Sequence, residues 1–502
     1  MLHKQIKTPV RWIILAAISA VFLAFYSTAT SPLSSYFGGD SSFFILVGKG
    51  MTEGMLPYRD FFDMKGPYLF IIEYIGQLLS GGRLGAFLIQ FVNLFVCLVI
   101  IDGICLNGRK DIPLKTWLIL GLISIIPVLY VTCYTFERGN LTEEFSLPAL
   151  LLALYFAVTY LKQSKTQPDL THPLLHGFYY GVAFGFLALI RITNAAFLGA
   201  ILLTISVDLL IRKKYQNLLL NGLVFILGCV VACIPACVYF ATQGLLEEML
   251  SQVFIFGVQY SAGTSLTGKI VTVIIKYWRV LITMTFPIIV LALFRVKDWK
   301  YWCMAISSYL LLFFAAILGT AYAHYFTLGI PHIALGAWFL IEQLQAVDFS
   351  IKQMPKRKIA ILLLLFLIMG RHFISTTAQS VNCILKHDDT HQQIQQIKAQ
   401  IPEEDYDRVF VYGMKSCSKW YLQAGLFPPN KYCDWHHNYI QLNPQIGDEL
   451  VNRMTGGDFG WIVVDAHTEI EPIPIAETIE SYYTIYFEND DHTLYQYTGD
   501  RS

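Results

Sequence analysis

The chain has 502 residues, is 55% hydrophobic and only 14% charged, and balances 36 basic against 36 acidic side chains. Soluble domains run near ~25% charged, so a chain of this length and a mean hydropathy of +0.51 implies a polytopic membrane protein. A net charge of zero excludes the basic field that a nucleic-acid partner needs.

A spanning helix needs about 20 mostly apolar residues, and eleven windows qualify in chain order. They are Trp12–Ala29, Leu84–Leu106, Thr116–Tyr134, Phe145–Leu161, Leu174–Ile190, Asn194–Ile211, Leu218–Phe240, Tyr277–Phe294, Tyr301–Thr320, Phe326–Leu344 and Ile359–Arg371. The first lacks a small-residue cleavage site and reads as an anchor, not a signal peptide. Tyr68–Leu79 is apolar but too short to cross, and reads as an interfacial helix.

Lys and Arg in short loops set orientation. With the N-terminus inside, eighteen fall on the cytoplasmic side: Lys4, Lys7, Arg11, Arg109, Lys110, Lys115, Lys162, Lys165, Arg212, Lys213, Lys214, Arg295, Lys297, Lys300, Lys352, Lys356, Arg357 and Lys358. The opposite loops hold Arg138, Arg191, Lys269, Lys276 and Arg279. The fold class expected is therefore an α-helical polytopic membrane protein of about eleven transmembrane helices, N-in and C-out. Residues 1–372 form the membrane domain and 373–502 a small extracytoplasmic α/β domain. In that tail a helix is expected at His391–Ile401, buried strands at Arg408–Tyr412 and Trp461–Asp465, and a helix at Ile473–Tyr482. A hairpin of Tyr483–Glu488 and Thr493–Tyr497 closes it. Cys417 and Cys433 could form a disulfide in an oxidising compartment, or stay free.

The first outer loop carries the chemistry. Asp40, Lys49, Arg59, Asp60, Asp63 and Lys65 place three aspartates and three cations within 26 residues, with Tyr58 among them. A carboxylate at the interface can take a proton from an acceptor hydroxyl while Lys or Arg neutralises a departing phosphate. Asp40 also fits a helix N-cap, and Asp60 and Asp63 also fit loop carboxylates paired with Arg59 and Lys65. In the second outer loop Glu143 and Glu144 are acidic candidates, the alternative being Asn140 as cap with Glu143 at N3. Arg191 interrupts an apolar run and needs a cavity or partner unless it snorkels. His324, beside Tyr325, is either a ligand or a hydrogen-bonded structural residue.

The Asp past the first span, then Gly-Met-Leu-Pro-Tyr-Arg-Asp-Phe-Phe-Asp-Met-Lys-Gly-Pro, then Gly-Asn-Leu-Thr-Glu-Glu, resembles the GT-C membrane glycosyltransferases over about residues 1–370. The likeness is greatest to the bacterial branch of aminoarabinose, mannosyl and Rgt-type transferases. It implies an inverting transferase moving a sugar from a polyprenyl-phosphate donor to a cell-envelope glycan or lipid acceptor, on the outer face of the cell membrane. By that resemblance Asp40 matches the catalytic acidic residue. Lys65, before Gly66 and Pro67, matches the basic residue that contacts the donor phosphate, with Arg59 and Arg191 as further phosphate candidates. Tyr58, Asp60, Asp63, His324 and Tyr325 are substrate candidates. Asp63 lies two residues before Lys65 where the family has an adjacent acid, so Glu143, Glu144 and Asp63 all stay open as second carboxylate. Some relatives hold a divalent metal (Mg, Mn or Zn); no clear ligand set is present in this sequence. A transporter or flippase of lipid-linked saccharides, or a polymerase, is the competing class. A transporter would place its charges at mid-membrane.

Overall fold

The computed structural model describes residues 5–106, 108–109, 111–262, 265–319, 322–345, 355–386 and 389–499. Lys4, Lys110, Lys352 and Thr320, named above, lie outside the described residues. Each apolar window falls on a helix: Thr8–Tyr26, Arg83–Leu106, Leu114–Thr135, Thr142–Thr166, Leu174–Arg191, Ala196–Ile211, Tyr215–Thr242, Leu266–Met284 continued by Phe286–Leu293, Trp299–Leu318, Ile330–Gln345 and Lys356–Leu385. By length and composition, eight helical runs among the described residues can cross a membrane, or nine when the pair bent by 42° at Thr285 is one span. The difference from eleven windows arises partly because Leu174–Ile211 is a single run broken by the 3₁₀ turn Ile192–Ala195. The bend falls where Pro287 enters the second helix without a backbone N–H to continue the ladder. The apolar segment Pro67–Leu79 is a helix of 13 residues. These helices make the chain a multi-pass membrane protein.

The chain divides into two compact units, each assembled from three stretches. The first comprises 1–27, 90–239 and 264–381. Its helical run Ala323–Gln345 is buried from Ala323 to Ile341, with only Glu342, Gln343 and Gln345 partly exposed. Where apolar faces gain nothing from leaving lipid, close backbone approach is what holds helices together. Leu174–Arg191 meets Tyr215–Thr242 in that way through small residues. A Cβ on Gly181 would stand 1.9 Å from the Phe225 carbonyl oxygen, and one on Gly228 would stand 2.2 Å from that of Phe178.

The second unit comprises 28–89, 240–263 and 382–502. Its sheet runs in the order 409–411, 461–465, 492–497, 483–488. The first pair is parallel and the other two antiparallel, with Ile462 opposite Phe410 and Tyr495. Helices Cys417–Ala424, His436–Leu442 and Pro444–Thr455, which hydropathy did not separate from loops, complete the tail. Phe62 of the first loop and Phe256 of the 240–263 stretch belong to the same core as Phe410, Tyr439, Leu450 and Ile462. Cys417 and Cys433 are both free and buried, so the disulfide alternative is not realised.

Because Gly181 has no room for a side chain, Gly181→Leu is expected to destabilise the protein by about 1–3 kcal/mol. Gly222→Leu on the facing helix, where a Cβ meets nothing within 4 Å, should leave it unchanged. Melting of the two variants in detergent checks this.

Candidate active site

In the second unit, Gly39–Thr52 begins with Gly38 as N-cap, and no side chain caps it. Asp40 is therefore not the cap considered above. It sits in the first turn, half-buried, with no hydrogen-bond or ion-pair partner among the described residues. The unpaired N–H groups of that turn favour a negative charge there without consuming its oxygens.

The following loop is a knot around Lys65. Tyr58, held at φ +70°, donates from its hydroxyl to the Lys65 carbonyl at 2.9 Å. The Lys65 amide donates to Asp63 Oδ1 at 3.0 Å, and Lys65 Nζ lies 3.4 Å from the same oxygen. Lys65 Nζ also sits 5.7 Å over the Phe44 ring, and its side chain keeps 18% of its surface exposed. Burial pushes the Asp63 carboxyl above its usual range; Lys65 opposes that shift and the Asp40 charge adds to it. Arg59 pairs with Asp60 at 2.7 Å on an exposed edge. Asp60 in turn accepts from the Leu56 amide at 2.7 Å, so this pair braces the loop. Gln252, on the π-helical turn Ser251–Phe256, is a member that sequence reading missed. It accepts from the Asp63 amide at 3.2 Å and donates to the Tyr58 carbonyl at 3.1 Å. A lone Gln some 190 residues downstream carries no sequence signal of this role.

The tail supports the same region. The Phe62 amide donates to the Lys431 carbonyl at 2.9 Å, and a Cβ on Gly39 would stand 3.9 Å from the Ser416 Cβ. Three residues beyond Lys431, buried Asp434 accepts from the amides of Cys417, Ser418 and Trp435 and from the Ser418 hydroxyl. Burial pushes its carboxyl up to about 6 despite those donors.

The first unit holds the other candidates. Glu143 is buried and pairs with Arg191 at 3.0 Å, and Arg191 lies 4.1 Å over the Tyr325 ring. Arg191 is thus partnered and does not simply snorkel. Among the described residues Glu143 Oε2 has no hydrogen-bond partner. Leu141, not Asn140, is the N-cap of Thr142–Thr166, and Glu144, not Glu143, stands at N3 and accepts from the Leu141 amide at 3.0 Å. The other Glu144 oxygen accepts from Gln90 at 2.7 Å. Asn194, also missed, donates to Ser146 Oγ at 2.8 Å and to the Thr142 carbonyl at 3.3 Å. His324 hydrogen-bonds Glu137, and burial notwithstanding, that bond holds the Glu137 carboxyl below its usual range. Among the described residues no group of three or more His, Cys, Asp or Glu could hold a metal.

No protein-family model matches the chain, and no curated protein matches it in sequence. Solved structures do. Apo ArnT from Cupriavidus metallidurans aligns with a TM-score of 0.60 at 12% identity, over 97% of this chain and 98% of that one. The same protein bound to undecaprenyl phosphate aligns with a TM-score of 0.59 at 13% identity over the same shares. The apo oligosaccharyltransferase of Archaeoglobus fulgidus aligns with a TM-score of 0.49 at 13% identity, over 98% of this chain and 75% of that chain. The chain has the GT-C fold. Within this GT-C fold, Asp40, Tyr58, Arg59, Asp60, Asp63 and Lys65 fall in the second unit, and Glu143, Glu144, Arg191, His324 and Tyr325 in the first.

Two outcomes follow. Arg191→Met strands a buried carboxylate and should cost about 3–5 kcal/mol, with stability recovered in the Glu143→Gln, Arg191→Met double variant on thermal melting. Asp434 is raised from 3.8 to about 6 in the folded protein, so the folded state binds its proton more tightly than the unfolded chain. Its contribution is greatest below pH ~4 and is lost as pH rises to ~6, by about 3 kcal/mol. Melting between pH 4 and 7 should show that decline in the wild type and a flatter profile in Asp434→Asn.

Proposed function

We propose that this protein is an inverting glycosyltransferase that moves a sugar from a polyprenyl-phosphate donor to a cell-envelope acceptor on the outer face of the cell membrane. The observation that carries the reading is an unpartnered carboxylate, Asp40, in the same unit as a half-sequestered cation, Lys65. Their chemistry is complementary to the two ends of one displacement. The ArnT structure bound to undecaprenyl phosphate supports the donor class, and the basic inner loops support the orientation.

In this mechanism Asp40 accepts the proton of the acceptor hydroxyl as its oxygen bonds to the anomeric carbon. The bond from that carbon to the phosphate oxygen breaks on the opposite side, and its electron pair leaves with the polyprenyl phosphate. The leaving group departs as a dianion and needs no acid; Lys65 stabilises its charge. Arg59 is held by Asp60 at 2.7 Å while Lys65 lies 3.4 Å from Asp63, so Lys65 is the less tightly paired cation, which favours it for this role. Within the first unit, Glu143 keeps one oxygen without a hydrogen-bond partner among the described residues, whereas both Glu144 oxygens already accept hydrogen bonds. Arg191 and Tyr325 hold Glu143 in place on their unit.

Purified protein in detergent, supplied with polyprenyl-phosphate-sugar donors, should release labelled sugar. Asp40→Asn at equal folded yield should lower kcat at least 100-fold, within the range of a lost general base. Equal turnover by both forms would return Asp40 to a helix-terminus role, and donor binding without any turnover would support transport instead.

A further inference from the structure

We infer that Gln252 is a positioning residue for Lys65, acting through the Tyr58–Asp63 turn; this rests on the transferase reading above. Four observations carry it. The turn is strained, since Tyr58 holds a left-handed φ of +70° that a bulky side chain adopts only when its surroundings impose it. Gln252 reaches both sides of that turn, accepting from the Asp63 amide at 3.2 Å and donating to the Tyr58 carbonyl at 3.1 Å. It is itself buried, 6% exposed, so neither bond competes with bulk water. And it is presented by the π-helical turn Ser251–Phe256, a geometry that is rare and concentrates at functional sites.

The consequence is specific to Lys65. Its carbonyl is held by the Tyr58 hydroxyl and its amide by the Asp63 carboxylate, so both anchors of Lys65 are residues whose backbones Gln252 clamps. Removing the clamp lets the turn relax toward ordinary backbone angles and shifts the ammonium group. Displacements of that scale cost rate more than binding when a charge must meet a leaving group in the transition state. Gln252 touches no reacting atom in this account.

The test uses the full-length protein in detergent with Gln252→Met, which keeps the volume and removes both hydrogen bonds. Amide exchange of the 56–66 segment should accelerate. Donor turnover should fall about 10- to 100-fold in kcat with a smaller change in KM. The Gln252→Met, Lys65→Met double variant should be no slower than Lys65→Met alone, because the two act through one group. Wild-type exchange, wild-type kcat, or losses that multiply in the double variant would overturn the inference. A wild type that turns over no donor overturns the transferase reading, while the exchange measurement still decides whether Gln252 holds the turn. If Gln252→Met does not fold, Gln252→Glu keeps an acceptor for the Asp63 amide and loses the donor to Tyr58, and serves the same exchange measurement.

Discussion

The second unit depends on one seam, the insertion of Phe62 into the core of the tail. Its ring lies 4.9 to 5.1 Å from the rings of Phe256, Tyr432 and Tyr439, and its amide is bonded to the Lys431 carbonyl. Burying a Phe is worth about 1.5–3 kcal/mol, and here the same contact closes loops of nearly 200 and 370 residues. Asp63 follows Phe62 directly and Lys65 stands two residues beyond. The positions of the carboxylate and the ammonium group are therefore set by hydrophobic packing next door, and the loop has little freedom left to misplace them.

Charge is handled differently in the two units. In the first, the Glu143–Arg191 pair sits among helices, where an isolated charge would be expensive, and each partner exists to neutralise the other. In the second, Asp40 is left without a partner at a helix terminus that tolerates negative charge. An enzyme that takes up and returns a proton needs such a group, available and uncommitted. Glu143 thus has an ion-pair partner for one oxygen, while Asp40 has none among the described residues, a difference between carboxylates that look alike in the sequence.

Several readings were legible from residues alone, for identifiable reasons. Apolar windows mapped onto helices because twenty apolar residues in a row leave the backbone no other way to satisfy its hydrogen bonds in lipid. The tail strands Trp461–Asp465 and Tyr483–Glu488 announced themselves by β-branched and aromatic residues bounded by turn formers. The ion pairs Arg59–Asp60 and Lys65–Asp63 are local enough to read from spacing. Caps were less legible: Gly38 and Leu141 begin their helices where Asp40 and Asn140 looked better suited, because neighbouring packing sets the entry point within a residue or two.

By itself the sequence determined that the chain is helical and membrane-embedded, how its basic loops are distributed, and which short loops hold opposite charges close together. These follow from period, length and nearest-neighbour chemistry, which act within about one turn of the chain. Only the tertiary structure decided that Gln252 clamps the Tyr58–Asp63 turn, that Phe62 belongs to the core of a domain nearly 350 residues away, and that Glu144 is spent on a cap while one Glu143 oxygen is not. Those facts depend on contacts between segments that no local pattern couples, and a single Gln, Phe or Glu has the same sequence signature whether or not such a contact forms.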